Sequence, residues 1–221
     1  MNRRLFRSVY RDEPSGRALA KAFLDTWNEL GHKPPDTVSL QADEPMPEGL
    51  LARIGKRDKK VVALLWLNEG DFPDLTLMAN DQPRPALIMA SYGMLGTKVN
   101  SLPESERGRF YLTYPYGLPD GTREHQAQGV SPIFEQRETA LKMNSLFQAI
   151  PGALSRLRTF VYRDYFIELI EANPDLASAT IIYPRLSFGQ GQRYASKGCY
   201  VVQLGPGANP ELIKRSEWVI H

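Results

Sequence analysis

The chain has 221 residues, 27 Lys+Arg against 25 Asp+Glu for a formal net charge of +2, and 42% hydrophobic residues. Enough apolar surface exists to offset chain entropy, which excludes wholesale disorder. The single Cys199 excludes an internal disulfide and a cysteine-built zinc site, and three scattered histidines (His32, His125, His221) weigh against a histidine metal cluster.

Leu5 to Tyr10 reads as a strand that ends in Arg11-Asp12-Glu13-Pro14. A helix is expected over Gly16 to Leu30, with Ser15 as N-cap and Gly31 as its stop. Ala18, Ala22, Phe23, Trp27 and Leu30 recur there at three- and four-residue spacing. Thr37 to Leu40 is a short second strand, and Leu50 to Ile54 a short helix. Val61 to Leu67 is apolar without alternation, as in a strand covered on both faces. It is also the longest apolar run, far short of the about 20 residues that span a membrane. Phe72 to Met78 is a further candidate helix and Ala86 to Ala90 a further strand. This alternation is the signature of a parallel layer flanked by helices.

Beyond Ser91 the texture changes. Gly93 to Gly108 is polar and reads as a loop before a strand at Arg109 to Tyr114. Asp120 to Pro132 is the best candidate for a domain boundary. Glu138 to Leu157 is expected to be helical, with Leu141, Ser145 and Phe147 to Ile150 inward and a kink or break at Pro151-Gly152. Arg163 to Ala172 is a second helix, stopped by Asn173-Pro174. The tail holds short strands, notably Cys199 to Leu204 and Trp218 to Ile220. The expected division is an α/β lobe over 1–130, a helical crossing segment over 131–175 and returning strands over 176–221.

Enzyme signatures are missing: there is no G-x-S-x-G, H-E-x-x-H, phosphate loop or paired C-x-x-C. Phe188 to Arg193 has two glycines at G-x-G spacing but no third, and reads as a tight turn. The cations of Arg53 to Lys60 read as a solvated lead-in to an apolar strand rather than a nucleic-acid site. No catalytic residue, metal or cofactor is assigned, and the chain is read as non-enzymatic. The tyrosines are more telling. Tyr10, Ser91-Tyr92 and Tyr114-Pro115-Tyr116 each follow an expected strand, and carboxyl ends of parallel strands converge on a ligand crevice. Tyrosine offers an apolar face and a hydroxyl, and Ser91 can hydrogen-bond a carboxylate or ammonium group. Tyr10, Ser91, Tyr92 and Tyr116 are therefore the candidate lining residues.

Val9-Tyr10-Arg11-Asp12-Glu13-Pro14-Ser15-Gly16 resembles the V-Y-x-D-x-x-x-G stretch of the type I periplasmic substrate-binding proteins of the leucine/isoleucine/valine-binding family. Ala63 to Leu67, Ala90-Ser91-Tyr92, Tyr114-Pro115-Tyr116 and the tail from Tyr183 through Tyr200 add to the resemblance. It implies an α/β class fold: a Rossmann-like open parallel sheet flanked by helices, one lobe of the two-lobed fold, with an appended helical segment and short C-terminal strands. In that family the V-Y-x-D strand opens the second lobe, whereas eight residues precede Val9 here. The resemblance therefore implies a truncated member, lobe two plus the crossing segment, and a periplasmic location, although no signal peptide is legible at Met1-Asn2-Arg3-Arg4.

The implied function is that of a solute-binding protein of an ABC importer, holding an amino acid or amide without chemistry and delivering it to a permease. The alternative is an interaction module that associates with itself or with a partner chain, such as a missing lobe, through helices 138–172. Nucleic-acid binding and a membrane span are not expected.

Overall fold

The computed structural model describes residues 5–55, 60–72, 83–118, 139–140, 143, 147, 150–157, 162–172, 183 and 198–220. They fall into two compact units. Met1–Tyr114 with Val201–Ser216 form the first, and Pro115–Tyr200 with Glu217–His221 the second. The expected borders at 130 and 175, the Asp120–Pro132 connection, the Phe188–Arg193 turn and a helix beyond Phe72 lie outside the described residues.

The first unit is built on β1 (Leu5–Arg11), α1 (Pro14–Glu29), β2 (Asp36–Leu40), α2 (Leu50–Ile54), β3 (Val61–Trp66), β4 (Leu87–Ser91), α3 (Tyr92–Leu95), α4 (Glu104–Arg107) and β5 (Phe110–Tyr114). The pairs β1–β2, β1–β3, β3–β4 and β4–β5 are all parallel. Beyond β5 the sheet continues through β6 (Gly198–Leu204) to β7 (Leu212–Lys214), an antiparallel pair, for an order β2-β1-β3-β4-β5-β6-β7. The α/β architecture is as expected, with β7 an addition that its three residues and polar flanks do not announce.

Side chains alternate across a strand, and here the two faces differ. Val9, Arg11, Val61, Ala63, Leu65, Ile88, Ala90, Phe110, Leu112 and Tyr114 line one face and are all buried. On that face Arg7 donates to the Arg53 carbonyl of α2 at 3.2 Å, which places α2 over it. On the other face Ser8, Val62 and Leu64 are buried, while Phe6, Tyr10, Trp66, Met89, Ser91, Tyr111 and Thr113 are half-buried. Helix α1 covers the β1 side of that face: the Phe6 and Trp27 rings lie 4.7 Å apart, and those of Phe23 and Trp66 6.3 Å apart.

Local sequence explains the tight seam between β1 and α1. A Cβ at Gly16 would sit 2.2 Å from the Arg11 carbonyl oxygen, so only glycine lets the helix start beside the strand end. Three expectations are corrected here. Glu13 rather than Ser15 takes the N-cap position, because Pro14 is well placed in the first turn, where no N–H is needed. The inner face of α1 is Gly16, Ala20, Phe23, Leu24 and Trp27, while Ala18, Ala22 and Leu30 are exposed, since the small residues allow a closer approach to the sheet. Gly93 to Gly108 is not a loop. It holds α3, a 3-10 turn over Gly96–Ser101 and α4, with Leu95, Val99 and Leu102 buried at spacings that polar neighbours disguise.

A buried arginine fastens the antiparallel strands to this layer. Arg107 donates to the carbonyls of Leu102 (2.9 Å), Gly205 (2.8 Å) and Gly207 (2.8 Å). Gln203 donates to the Gly108 carbonyl at 3.0 Å and accepts from Arg215 at 2.6 Å. The buried polar groups of Arg107 and Gln203 are thus paired, as burial demands.

Among the described residues of the second unit, 139–140, 143, 147 and 150–154 are helical, and the backbone stays helical locally across Pro151 and Gly152, where a kink or break was expected; Leu141 and Ser145 lie outside the described residues. The expected inward placement of Phe147 and Ile150 is corrected: both are exposed. Helix α5 (Arg163–Glu171) follows, close to its expected bounds. Gly198 and Cys199 pair antiparallel with β8 (Val219–Ile220), and the rings of Tyr200 and Trp218 meet edge-on at 5.0 Å.

Candidate functional site

Parallel strands place their carboxyl ends on one edge, and the register fixes which residues share a row there. Val9, Leu65, Ala90 and Leu112 form one row, all buried. One step on, Ser39 pairs Tyr10, Tyr10 pairs Trp66, and Ser91 pairs Thr113. This last row lies on the half-open face. Tyr10, Trp66, Ser91 and Thr113 are half-buried and Ser39 is exposed. None of their side-chain polar groups meets a hydrogen-bond partner among the described residues. Ser91 precedes α3 without using its hydroxyl as a cap. The row therefore presents hydroxyls on an aromatic floor.

The loops beyond the strand tips are braced by charge. Arg11 reaches Asp71 with Nε at 3.0 Å from Oδ1 and 3.2 Å from Oδ2, and its Nη2 also donates to Oδ1. Its Nη1 donates to the carbonyls of Gln41 and Glu44, both at 2.6 Å. The hydrogen bond with Asp71 raises the Arg11 pKa against the opposing effect of burial. Asp71 accepts from the Asn68 amide at 3.1 Å, and the Asn68 side chain donates to Glu13 at 2.7 Å. Arg17 pairs with Asp12 at 2.7 Å. The ends of β1, β2 and β3 are thereby held together.

One carboxylate in this rim is left over. Glu69 is half-buried, and its carboxylate meets no ion pair or hydrogen bond among the described residues. Gly96 sits against it with a φ of +58°, and a Cβ there would lie 3.3 Å from the Glu69 carboxylate carbon and Oε2. Glycine supplies both the backbone conformation and the space.

The four expected lining residues occupy different settings. Tyr10 and Ser91 stand in the strand-tip row. Tyr92 is only 4% exposed, its ring edge-on to buried Tyr114 at 4.9 Å. Tyr116 belongs to the second unit, where it is 8% exposed with its ring 5.7 Å from that of Tyr183. Trp66, Thr113 and Glu69 are additions. The rule that singled out the tips of β1, β4 and β5 applies equally to β3, whose apolar run ends at Trp66-Leu67-Asn68-Glu69. Among the described residues no group of three or more His, Cys, Asp or Glu is placed to hold a metal ion. No helix of the described residues is long and apolar enough to cross a membrane.

No protein-family model matches the chain, and no curated protein matches its sequence. Solved structures do match its fold. A branched-chain amino acid ABC transporter protein from Thermus thermophilus with bound valine aligns with a TM-score of 0.68 and 13% identity, covering 100% of this chain and 61% of its own. A leucine-binding protein from Thermotoga maritima aligns at 0.65 and 11% identity, covering 98% and 60%. A fatty acid ABC transporter substrate-binding protein from Thermomonospora curvata aligns at 0.57 and 11% identity, covering 100% and 58%. The chain thus has the α/β fold of these substrate-binding proteins and spans about three-fifths of the length of each.

Proposed function

We propose that this chain is a ligand-binding lobe of a solute-binding protein serving an ABC-type importer, acting in the periplasm and handing its cargo to a permease without chemistry. The observation that carries the reading is the strand-tip row Ser39, Tyr10, Trp66, Ser91 and Thr113, half-open and rich in unengaged polar groups on a fold common to such proteins. The ligand class is an amino acid or amide. Hydroxyls of Tyr10, Ser91 and Thr113 suit a carboxylate or amide, and Glu69 suits an ammonium group. Tyr92, buried as it is, serves as a support behind such a surface rather than as a contact. Contacts from the strand-tip row of the first unit alone correspond to weak binding, with a Kd on the order of millimolar.

Amide-resolved NMR titration of the 221-residue chain with valine, leucine, a small amide and a medium-chain fatty acid tests the reading. Shifts confined to Tyr10, Trp66, Ser91, Thr113 and Glu69 are expected with the amino acids. Glu69→Gln weakens amino-acid binding about tenfold, the worth of one charge-assisted hydrogen bond, and leaves any fatty-acid response unchanged. A folded chain whose strand-tip amides respond to none of these compounds would defeat the proposal.

A further inference from the structure

Glu69 opens a 3-10 turn over Glu69–Asp71, which the Asp71 amide closes by donating to the Asn68 carbonyl at 3.0 Å. Both flanks of this turn are anchored. The Asn68 side chain donates to Glu13 at 2.7 Å, at the N-cap of α1. Asp71 accepts from Arg11 at the end of β1, and its Oδ2 also accepts the Asn68 amide at 3.1 Å. Gly96 closes a third side, since a Cβ there would lie 3.3 Å from the Glu69 carboxylate. These anchors surround a carboxylate that makes no bond of its own among the described residues. A glutamate with only a solvated role needs no such bracing.

We propose that Asn68 and Glu13 are positioning residues that hold Glu69 ready for a ligand's amine, so that the site selects amine-bearing ligands over amine-free ones. The inference rests on the ligand-binding reading and deepens it. The neighbouring acids are engaged elsewhere: Asp71 by Arg11 and the Asn68 amide, Glu13 by the Asn68 side chain, and Asp12 by Arg17 at 2.7 Å. Glu69 is therefore the carboxylate of this rim with its oxygens open to a cation. A group fixed before its ligand arrives loses little freedom on binding, which is the advantage of preorganisation. Selectivity follows from the same rigidity. An ammonium gains a charge-assisted hydrogen bond, whereas a ligand without a donor covers the carboxylate and gives nothing back.

The test is NMR titration of the full chain with valine and with isovalerate, the same molecule with hydrogen in place of the amine. Asn68→Ala and Glu13→Ala remove one hydrogen bond from its two ends, so either variant that stays folded in urea denaturation serves. Each is expected to weaken valine binding roughly fivefold, within the worth of the Glu69 contact itself, and to leave isovalerate no weaker. Glu13→Gln keeps an oxygen that accepts from Asn68 and is expected to restore valine binding. In a Glu69→Gln background, Asn68→Ala is expected to add nothing, the mark of residues that act as one unit. A loss that strikes both compounds alike, or that persists in the Glu69→Gln background, overturns the inference. So does valine binding untouched by Asn68→Ala, or Glu13→Gln as damaging as Glu13→Ala. A native chain that binds neither compound defeats the ligand reading as well, whereas one that binds valine and fails these comparisons defeats this inference alone.

Discussion

At the scale of single residues, the Arg11–Asp71 pair shows how burial turns a charge into a structural commitment. Both side chains are buried and each satisfies the other, while Arg11 also holds two loop carbonyls. Asp71→Ala leaves a guanidinium uncompensated in the interior and is expected to cost about 3–5 kcal/mol in urea denaturation. Arg11 is a base whose pKa is raised on folding. Its contribution is therefore complete below its unfolded pKa and is lost only as pH rises through the folded one, in strong alkali. Ser8 offers the opposite case. Its hydroxyl is fully buried and meets no partner. Ser8→Ala removes an unpaired polar group at little change in shape, so stability should hold or rise by up to about 1 kcal/mol. A clear loss on thermal unfolding would show that the hydroxyl has a partner after all, such as a buried water. Burial also pushes the Cys199 thiol pKa up. Its thiolate fraction near neutrality is small, and labelling by a thiol reagent should run slower than for free cysteine and accelerate on unfolding.

At the scale of elements, the contact between β1 and α1 sets the position of the whole outer helix. Alanine normally favours a helix over glycine by about 1 kcal/mol. At Gly16 the sign reverses, because a methyl group there collides with the Arg11 carbonyl. Gly16→Ala is expected to destabilise by about 1–3 kcal/mol, the usual cost of overfilling a packed site, and calorimetry would read it directly. The same element shows how far the amino-acid order was legible. The helix, its length and its glycine stop followed from apolar spacing and from Gly31, which adopts a φ of +72°. Its inner face did not. Periodicity counts large residues, whereas the sheet accepted Gly16 and Ala20 where the approach is tightest. The segment 93–108 was read as a loop for a related reason. Its helices are single turns, too short for a repeating pattern, and only their neighbours reveal that Leu95, Val99 and Leu102 point inward. At the strand tips, a positional rule found Tyr10 and Ser91, while Trp66 and Thr113 emerged from strand register. Register is a relation between distant segments that no local window contains.

At the scale of the whole molecule, the two units differ. Among the described residues, the first carries most of the buried core and the strand-tip row, while Phe147 and Tyr162 of the second are largely exposed. The parallel α/β class was set by amino-acid order alone, since an apolar run such as Val61 to Leu65 has no stable place except between two covering layers. Composition likewise decided what the chain lacks, from disulfides to a cysteine-built zinc site. Only the tertiary structure decided that Tyr92 is buried while Ser91 beside it stays half-open, that Glu69 is left without a partner, and that Phe147 and Ile150 face outward. The physical reason is the same each time. Exposure and pairing depend on what arrives from elsewhere in the chain, and a residue's own neighbours in sequence carry no record of that arrival.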